Sequence, residues 1–383
     1  MFSYIDVVAG AQFGSESKGR VAGDLVRYRS RQAHWGADTN SSSHPVISVR
    51  VGGPNAGHVV VGRGGQHFAM RQVPVGFIED DAILYIAAGS EVDFDVLDSE
   101  VRMLQEAGYD IQSRLYLDPQ ATVLTPDHIE QERNSDIVER LGSTAKGIGA
   151  SRADRIWRTA QLVRDSERAA DYQVAPLADV VDLDRQRPAV VIEGTQGYGL
   201  GLHAGYYPQC TSNDTRAIDF AAMAGINPWE VQSPDRFNIH LVVRPYPIRV
   251  AGNSGPLADE TSWEDLGLEA ERTTVTQKVR RVGRLDLDLV RAAVQANGPT
   301  RSFLHLAMAD QVDSSLAGLE GFESAELWEQ RAAAASTGDA PRWDRASLEL
   351  LTIIRDLADV APVVSLGTGP DSTIHLSGVE FEW

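Results

Sequence analysis

The 383-residue chain holds one cysteine, Cys210, and only three lysines, Lys18, Lys146 and Lys278, among 35 basic residues. A single thiol excludes an intramolecular disulfide framework and fits a reducing compartment, so a cytoplasmic location is expected, the host cytoplasm if the source is viral. No apolar run reaches the roughly 18 residues that a bilayer span requires. The start of the chain also lacks the basic stretch and long apolar segment of an export signal. Positive charge is scarce too: 54 acidic residues bring the formal net charge to −19. Neither nucleic acid nor membrane is therefore an expected partner, since both rely on basic surface. An anionic ligand would need a local cluster of cations.

What is present is a series of glycine-rich loops at the ends of apolar runs. With 43% hydrophobic residues the length allows one large α/β unit. Tyr4 to Val8 reads as a strand and Val21 to Arg29 has helical spacing, so Ala9 to Arg20 is a strand–loop–helix junction. Small residues there let backbone N–H groups face a phosphate, the helix N-terminus adds partial positive charge, and Lys18 reaches the terminal phosphate. The spacing is not that of a standard P-loop, and the stretch reads equally well as an ordinary βα turn with a solvated lysine. A second such loop, Gly52 to His58, ends in an imidazole. A third, Gly142 to Gly149, precedes Arg152, Arg155 and Arg158, which fall along one side if helical, where a solvated face is the plainer account.

Glu193 to Gly197 follows the apolar run Ala189 to Ile192, at the kind of strand end where ligands of open α/β sheets collect. Thr273 to Arg284 packs four basic residues, Lys278, Arg280, Arg281 and Arg284, into seven positions. That is the local cation cluster. Segments near 29–45 and 325–345 are polar or charged without clear periodicity and read as peripheral insertions in a single domain spanning 1–383.

The identity and order of six segments, Gln12 to Gly19, Asn55 to His58, Ser143 to Gly149, Glu193 to Gly197, Arg280 to Gly283 and Gly367 to Pro370, resemble the adenylosuccinate synthetases over nearly the whole chain. The resemblance implies an α/β fold with a central, largely parallel sheet flanked by helices, related to P-loop NTPases. It implies a homodimeric carbon–nitrogen ligase that uses Mg²⁺ and a nucleoside triphosphate to join aspartate to a purine nucleotide through a 6-phosphoryl intermediate. On this basis His58 is the acid at the purine O6, with Ser15, Lys18 and Gln196 as the other catalytic positions. Gly14, Ser15, Glu16, Ser17, Lys18, Gly19, Asn55, Gly57, His58, Asp310, Gly367 and Gly369 would hold ATP and its phosphates. Ser15, Asn55, Ser143, Thr144, Gln196, Cys210 and Thr211 would hold the nucleoside monophosphate, with Arg158 reaching the neighbouring subunit's site. Thr273, Thr274, Val275, Thr276, Lys278 and Arg280 would hold aspartate, and Ser15 with the Gly57 carbonyl would face Mg²⁺.

Departures from the family pattern bear on the substrate. Ser15 stands where the IMP-using enzymes have the aspartate that removes the N1 proton. A hydroxyl is no base near neutral pH, and losing a general base typically forfeits about 10²- to 10⁴-fold in rate. The same serine marks the 2-aminoadenylosuccinate branch of viruses whose DNA contains diaminopurine, which acts on dGMP, aspartate and ATP, and guanine's 2-amino group would crowd a carboxylate beside N1. Met308 replaces the lysine of a guanine-reading Lys-x-Asp, Ser17 replaces a loop glycine, and Lys278 replaces an arginine. The expected substrates are therefore dGMP, L-aspartate and ATP, with dATP as an alternative donor. A conventional IMP- and GTP-using synthetase and an inactive nucleotide-binding module are the competing readings.

Overall fold

Strands that are apolar on both faces can be buried only inside a sheet covered on both sides, and such a sheet forms the centre of the molecule. The computed structural model describes residues 1–35, 45–273, 277–324 and 345–377. Eleven strands lie in the spatial order Gly321–Ser324, Thr373–Ser377, Val363–Gly367, Ser302–Leu306, Phe237–Val243, Tyr4–Gly10, Ala189–Glu193, Val46–Arg50, Ile83–Ile86, Leu115–Leu117 and Gln173–Val174. Every neighbouring pair is parallel except Val363–Gly367 with Thr373–Ser377. Separate apolar clusters cover the two faces, one containing Val7, Val49 and Ile192, the other Val8, Leu84 and Val191. The expected α/β class and largely parallel sheet are both present. No helix among the described residues is long and apolar enough to cross a membrane.

The first helix, Lys18–Trp35, lays Val21, Ala22, Leu25 and Val26 on the sheet. It is longer than its apolar spacing suggested, so the insertion expected from residue 29 is helical as far as Trp35, and 36–44 lie outside the described residues. Within this stretch Arg29 is drawn inward rather than solvated. Its Nε and Nη2 donate to the two carboxylate oxygens of Asp6 at 2.6 and 2.9 Å. Of the second expected insertion, 325–344 fall outside the described residues and Arg345 opens the helix Arg345–Ala358.

Asp6 is wholly buried in a central strand and also accepts from Asn238 Nδ2 at 2.9 Å, with His240 Nε2 at 3.1 Å. Burial works to raise its pKa, but Arg29 and His240 together hold it well below the usual carboxylate range. Replacing Asp6 with Asn leaves Arg29 buried without its counter-charge, a loss of about 3–5 kcal/mol. Because the folded-state pKa is depressed, that contribution is complete above the ordinary carboxylate value of about 3.9 and fades as pH falls through the folded value. Urea denaturation should therefore separate wild type from Asp6→Asn at neutral pH, and the two curves should converge as pH is lowered from about 5 to about 2.

Candidate active site

Six adjacent parallel strands end at Gly10, Arg50, Glu193, Val243, Leu306 and Gly367, so the loops that follow open along one edge of the sheet, where ligands of such folds collect. The Gly10–Gly19 loop wraps around a carboxylate of its own. Glu16 is fully buried, and its Oε1 accepts from the backbone N–H of Gln12 at 3.0 Å and of Gly14 at 2.9 Å. Its Oε2 accepts from Lys18 Nζ at 2.5 Å. The turn requires left-handed backbone at Gly14, Ser15 and Ser17, with φ of 89°, 54° and 66°. The serine in place of a loop glycine is thus accommodated, at a strain of about 1–2 kcal/mol. Gly10 admits no side chain: a Cβ there would sit 2.1 Å from Glu16 Oε2 and 2.6 Å from the Gln196 carbonyl.

That close approach brings the Glu193–Gly197 loop against the Gly10–Gly19 loop, with Gln196 itself at φ 62° beside Gly14. The Gly52–His58 loop joins them, since a Cβ on Gly19 would meet His58 Cβ at 2.6 Å. Cross-strand register sets Arg50 beside Glu193. Both are buried, and Arg50 Nη1 lies 3.3 Å from Glu193 Oε2 and 2.5 Å from His58 Nδ1. Arg50 Nη2 donates to the carbonyls of Ala56 at 2.5 Å and Arg71 at 3.2 Å. Glu193 Oε2 is 3.0 Å from His58 Nδ1, while its Oε1 accepts from Val75 N at 2.6 Å and Ser48 Oγ at 3.3 Å. Burial pushes Glu193 up to about 7 against the pull of Arg50. Burial and then the charges of Arg50 and Lys18 push His58 well below its ordinary value, which keeps the ring neutral.

Arginines also surround Ser15. Arg280 Nη1 donates to Ser15 Oγ at 2.9 Å, and the fully buried Arg244 donates from Nη1 to the Ser15 carbonyl at 3.1 Å while Nη2 holds Glu271 at 2.5 Å. The Lys278–Arg284 segment thus touches the Gly10–Gly19 loop through Arg280. Thr273 Oγ1 accepts from Lys278 N at 3.1 Å, closing the base of the 273–278 loop, and the expected contacts Thr274, Val275 and Thr276 lie outside the described residues.

The Ser143–Gly149 loop is tied down from below. Glu132 accepts from the N–H groups of Gly147 and Gly149 at 2.7 Å each and of Ala150 at 3.4 Å. These are orphan donors around the start of the helix Ile148–Trp157, so Thr144 is left exposed on a fixed base. Ile148 packs against Gly53 and Gly149 faces Ser212, which brings this loop to those of Asn55 and Thr211. Cys210 is half-buried and donates its N–H to the Pro208 carbonyl. Arg158 is a correction to the arginine row. It leaves the helix as its left-handed cap, φ 64°, because the helix ends at Trp157, and it is exposed with Nη1 on the Ile156 carbonyl at 2.6 Å.

At the other end of the edge, Asp310 follows the left-handed Met308. Burial raises the Asp310 pKa against the charge of Arg20. Arg20 Nη2 lies under Gly367, where a Cβ would be 2.3 Å away, and Gly369 abuts Ser372 Oγ. Sequence reasoning missed Arg20, Arg50, Glu132 and Arg244. The signal for Arg50 and Arg244 was a charged residue ending or following a buried, mostly apolar strand.

For a magnesium ion, the Ser15 hydroxyl and the Gly57 carbonyl offer two neutral oxygens, and no group of three or more His, Cys, Asp or Glu suited to a metal exists among the described residues. Such a set fits an ion that arrives with nucleotide phosphates, the usual way Mg²⁺ is held beside a triphosphate.

These loops gather small-residue backbone and cations at one edge of the sheet. The sequence profile of adenylosuccinate synthetase matches residues 7–175 and 161–316, and the chain belongs to the adenylosuccinate synthetase family, whose members are carbon–nitrogen ligases. It is 34% identical over 327 residues to the adenylosuccinate synthetase of Thermococcus sibiricus, covering 84% of this chain and 88% of that one. It is 32% identical over 375 residues to that of Methanocaldococcus jannaschii, covering 95% and 94%. Among solved structures it resembles the cyanophage S-2L succinoaminodeoxyadenylate synthetase (PurZ) bound to dGMP and dATP as an energy donor, with TM-score 0.76, 25% identity, and 98% and 96% coverage. The fold is shared with the fully ligated adenylosuccinate synthetase of Plasmodium falciparum, TM-score 0.70 at 20% identity, over 97% of this chain and 99% of that one.

Removing the Glu132 carboxylate should loosen the loop it holds. Hydrogen bonds to a charged group contribute about 1.5–3 kcal/mol, so Glu132→Ala should raise KM for the purine nucleotide by about tenfold or more with a smaller change in kcat, measured by steady-state phosphate release.

Proposed function

We propose that this chain joins L-aspartate to C6 of dGMP at the expense of ATP, giving N6-succino-2-amino-2′-deoxyadenylate, ADP and phosphate. The observation that carries the reading is Ser15, a neutral hydroxyl between Arg280 and Arg244 at the position where IMP-using relatives carry a carboxylate. The smaller, uncharged side chain leaves room beside N1 for a 2-amino group and can both donate and accept. The similarity to the phage enzyme that binds dGMP supports the same substrate.

In the first step N1 gives its proton to water as O6 attacks the γ-phosphorus and ADP leaves. In the second the aspartate amine attacks C6, phosphate leaves, and the amine's surplus proton passes to water. His58 donates a hydrogen bond to O6 as charge develops there, and Lys18, on release from Glu16, follows the transferring phosphoryl group. Asn55, Ser143, Thr144, Gln196, Cys210 and Thr211 hold the monophosphate, and Lys278, Arg280 and the Thr273–Thr276 loop hold the aspartate carboxylates. Ser15 and the Gly57 carbonyl would face Mg²⁺, which when bound would supply charge neutralisation on the phosphates. Asp310 and the Gly367 and Gly369 turn hold the donor base. Met308 in place of a guanine-reading lysine favours ATP or dATP over GTP. The whole chain acts as one catalytic unit in a homodimer. The exposed Ile156 and Trp157, 69% and 77% exposed, would be covered by the partner as Arg158 enters the neighbouring site.

A second reading, a conventional synthetase acting on IMP with GTP, is favoured by the names of the sequence relatives. The test is phosphate release and product mass with Mg²⁺, aspartate and ATP, offering dGMP, GMP and IMP in parallel. The proposal expects a succino-adduct with dGMP and none with IMP; turnover of IMP alone overturns it. Ser15→Asp should lower kcat/KM for dGMP relative to IMP by about 10-fold or more, since a crowded, mispaired polar edge typically contributes 1–3 kcal/mol. Arg158→Ala should raise KM for the monophosphate with kcat less affected, and an unchanged KM removes Arg158 from the site.

A further inference from the structure

A histidine that donates a hydrogen bond from one ring nitrogen while neutral must keep the other ring nitrogen unprotonated, so something has to fix its tautomer. His58 has two neighbours at Nδ1. Glu193 Oε2 is 3.0 Å away and Arg50 Nη1 is 2.5 Å away. The carboxylate alone would suggest the arrangement of a hydrolytic triad, in which an acid accepts from Nδ1–H and leaves Nε2 as a base. Arg50 forbids that arrangement. A guanidinium has donors and no acceptor, so an Nδ1–H facing it at this distance would set two protons against each other.

The remaining contacts show how Arg50 is held to this task. Nη1 carries two protons, and its two neighbours are His58 Nδ1 and Glu193 Oε2, the latter at 3.3 Å. Nη2 is anchored by the Ala56 and Arg71 carbonyls, so the fork cannot swing away. Glu193 is in turn fixed by Val75 N and Ser48 Oγ. The carboxylate therefore serves to hold the guanidinium, and the guanidinium serves the ring. Nε2 makes no hydrogen bond with a described residue.

We propose that Arg50 is the positioning residue that locks His58 as the Nε2–H tautomer, making the imidazole a neutral hydrogen-bond donor to a purine oxygen and excluding its use as a base. The role at the purine rests on the ligase reading above; the tautomer does not, because it is a property of the ligand-free protein.

The test is long-range ¹H–¹⁵N correlation spectroscopy of full-length protein labelled with ¹⁵N-histidine, the His58 signal being assigned by its loss in His58→Gln. The expected result is a protonated Nε2 and an unprotonated Nδ1. A protonated Nδ1 in the wild type overturns the proposal outright and depends on no variant. In Arg50→Met the Nδ1 proton should appear, directed at Glu193. In the same variant kcat should fall by about 10²- to 10⁴-fold, the range seen when a proton-handling group is misarranged, with KM for the nucleotide changed far less. Arg50→Lys, which restores a cationic donor, should recover the Nε2–H signal and part of kcat. An Arg50→Met protein that keeps both the Nε2–H signal and wild-type kcat overturns the proposal. Should IMP prove the substrate instead of dGMP, the kinetic arm is run with IMP, and the spectrum is unaffected.

Discussion

The buried pairing of Arg50 with Glu193 is the constraint on which the site depends. Two charged side chains at the ends of adjacent central strands lie in almost complete exclusion of water, where each alone would be strongly destabilising. Register sets them side by side, and the surrounding polar atoms share the load. Ala56 and Arg71 take the remaining guanidinium protons, while Val75 and Ser48 satisfy the far carboxylate oxygen. Because those partners come from different loops, pairing the charges also sets where the Gly52–His58 loop stands relative to the sheet. The histidine at its end inherits that position.

The Gly10–Gly19 loop solves a related problem differently. It is a concave set of N–H groups with no anion of its own until Glu16 folds into it, and the buried carboxylate then substitutes for the missing charge and holds Lys18. Space for Glu16 exists only because Gly10 lacks a side chain. The loop is thus preformed, and under the proposed function a phosphate group would meet an ordered chain rather than one that must be ordered on arrival. Glu132 does the same for the Ser143–Gly149 loop from beneath. In both cases an internal carboxylate supports small-residue backbone whose outer surface is left for a ligand.

In this acidic protein the cations at the sheet edge are concentrated locally, three of them beside an internal carboxylate. Arg244, Arg280, Arg50 and Lys18 all converge on the few residues around Ser15 and His58. The net charge governs long-range association, and the arrangement of a few guanidinium groups governs the site.

Much of this was legible in the sequence. Apolar runs marked several strands, and the small-residue loops after them marked strand ends where ligands gather. The resemblance of six ordered motifs gave the family, and with it the fold. What the chain could not reveal is whatever depends on separation in sequence being cancelled by folding. Arg29 looked like the start of a surface insertion until Asp6 drew it inward. The arginine row looked continuous until the helix ended one residue short of Arg158. Lys18 could be named as a phosphate ligand, but not that Glu16 holds it in the free protein. Above all, His58 could be singled out from its loop, while the proton it carries is decided by Arg50 eight positions away and Glu193 on another strand. The sequence by itself determined which residues could do chemistry, because side-chain type and local pattern are local properties. Only the tertiary structure decided their protonation and direction, because these depend on which charges and hydrogen-bond partners the sheet brings together out of water.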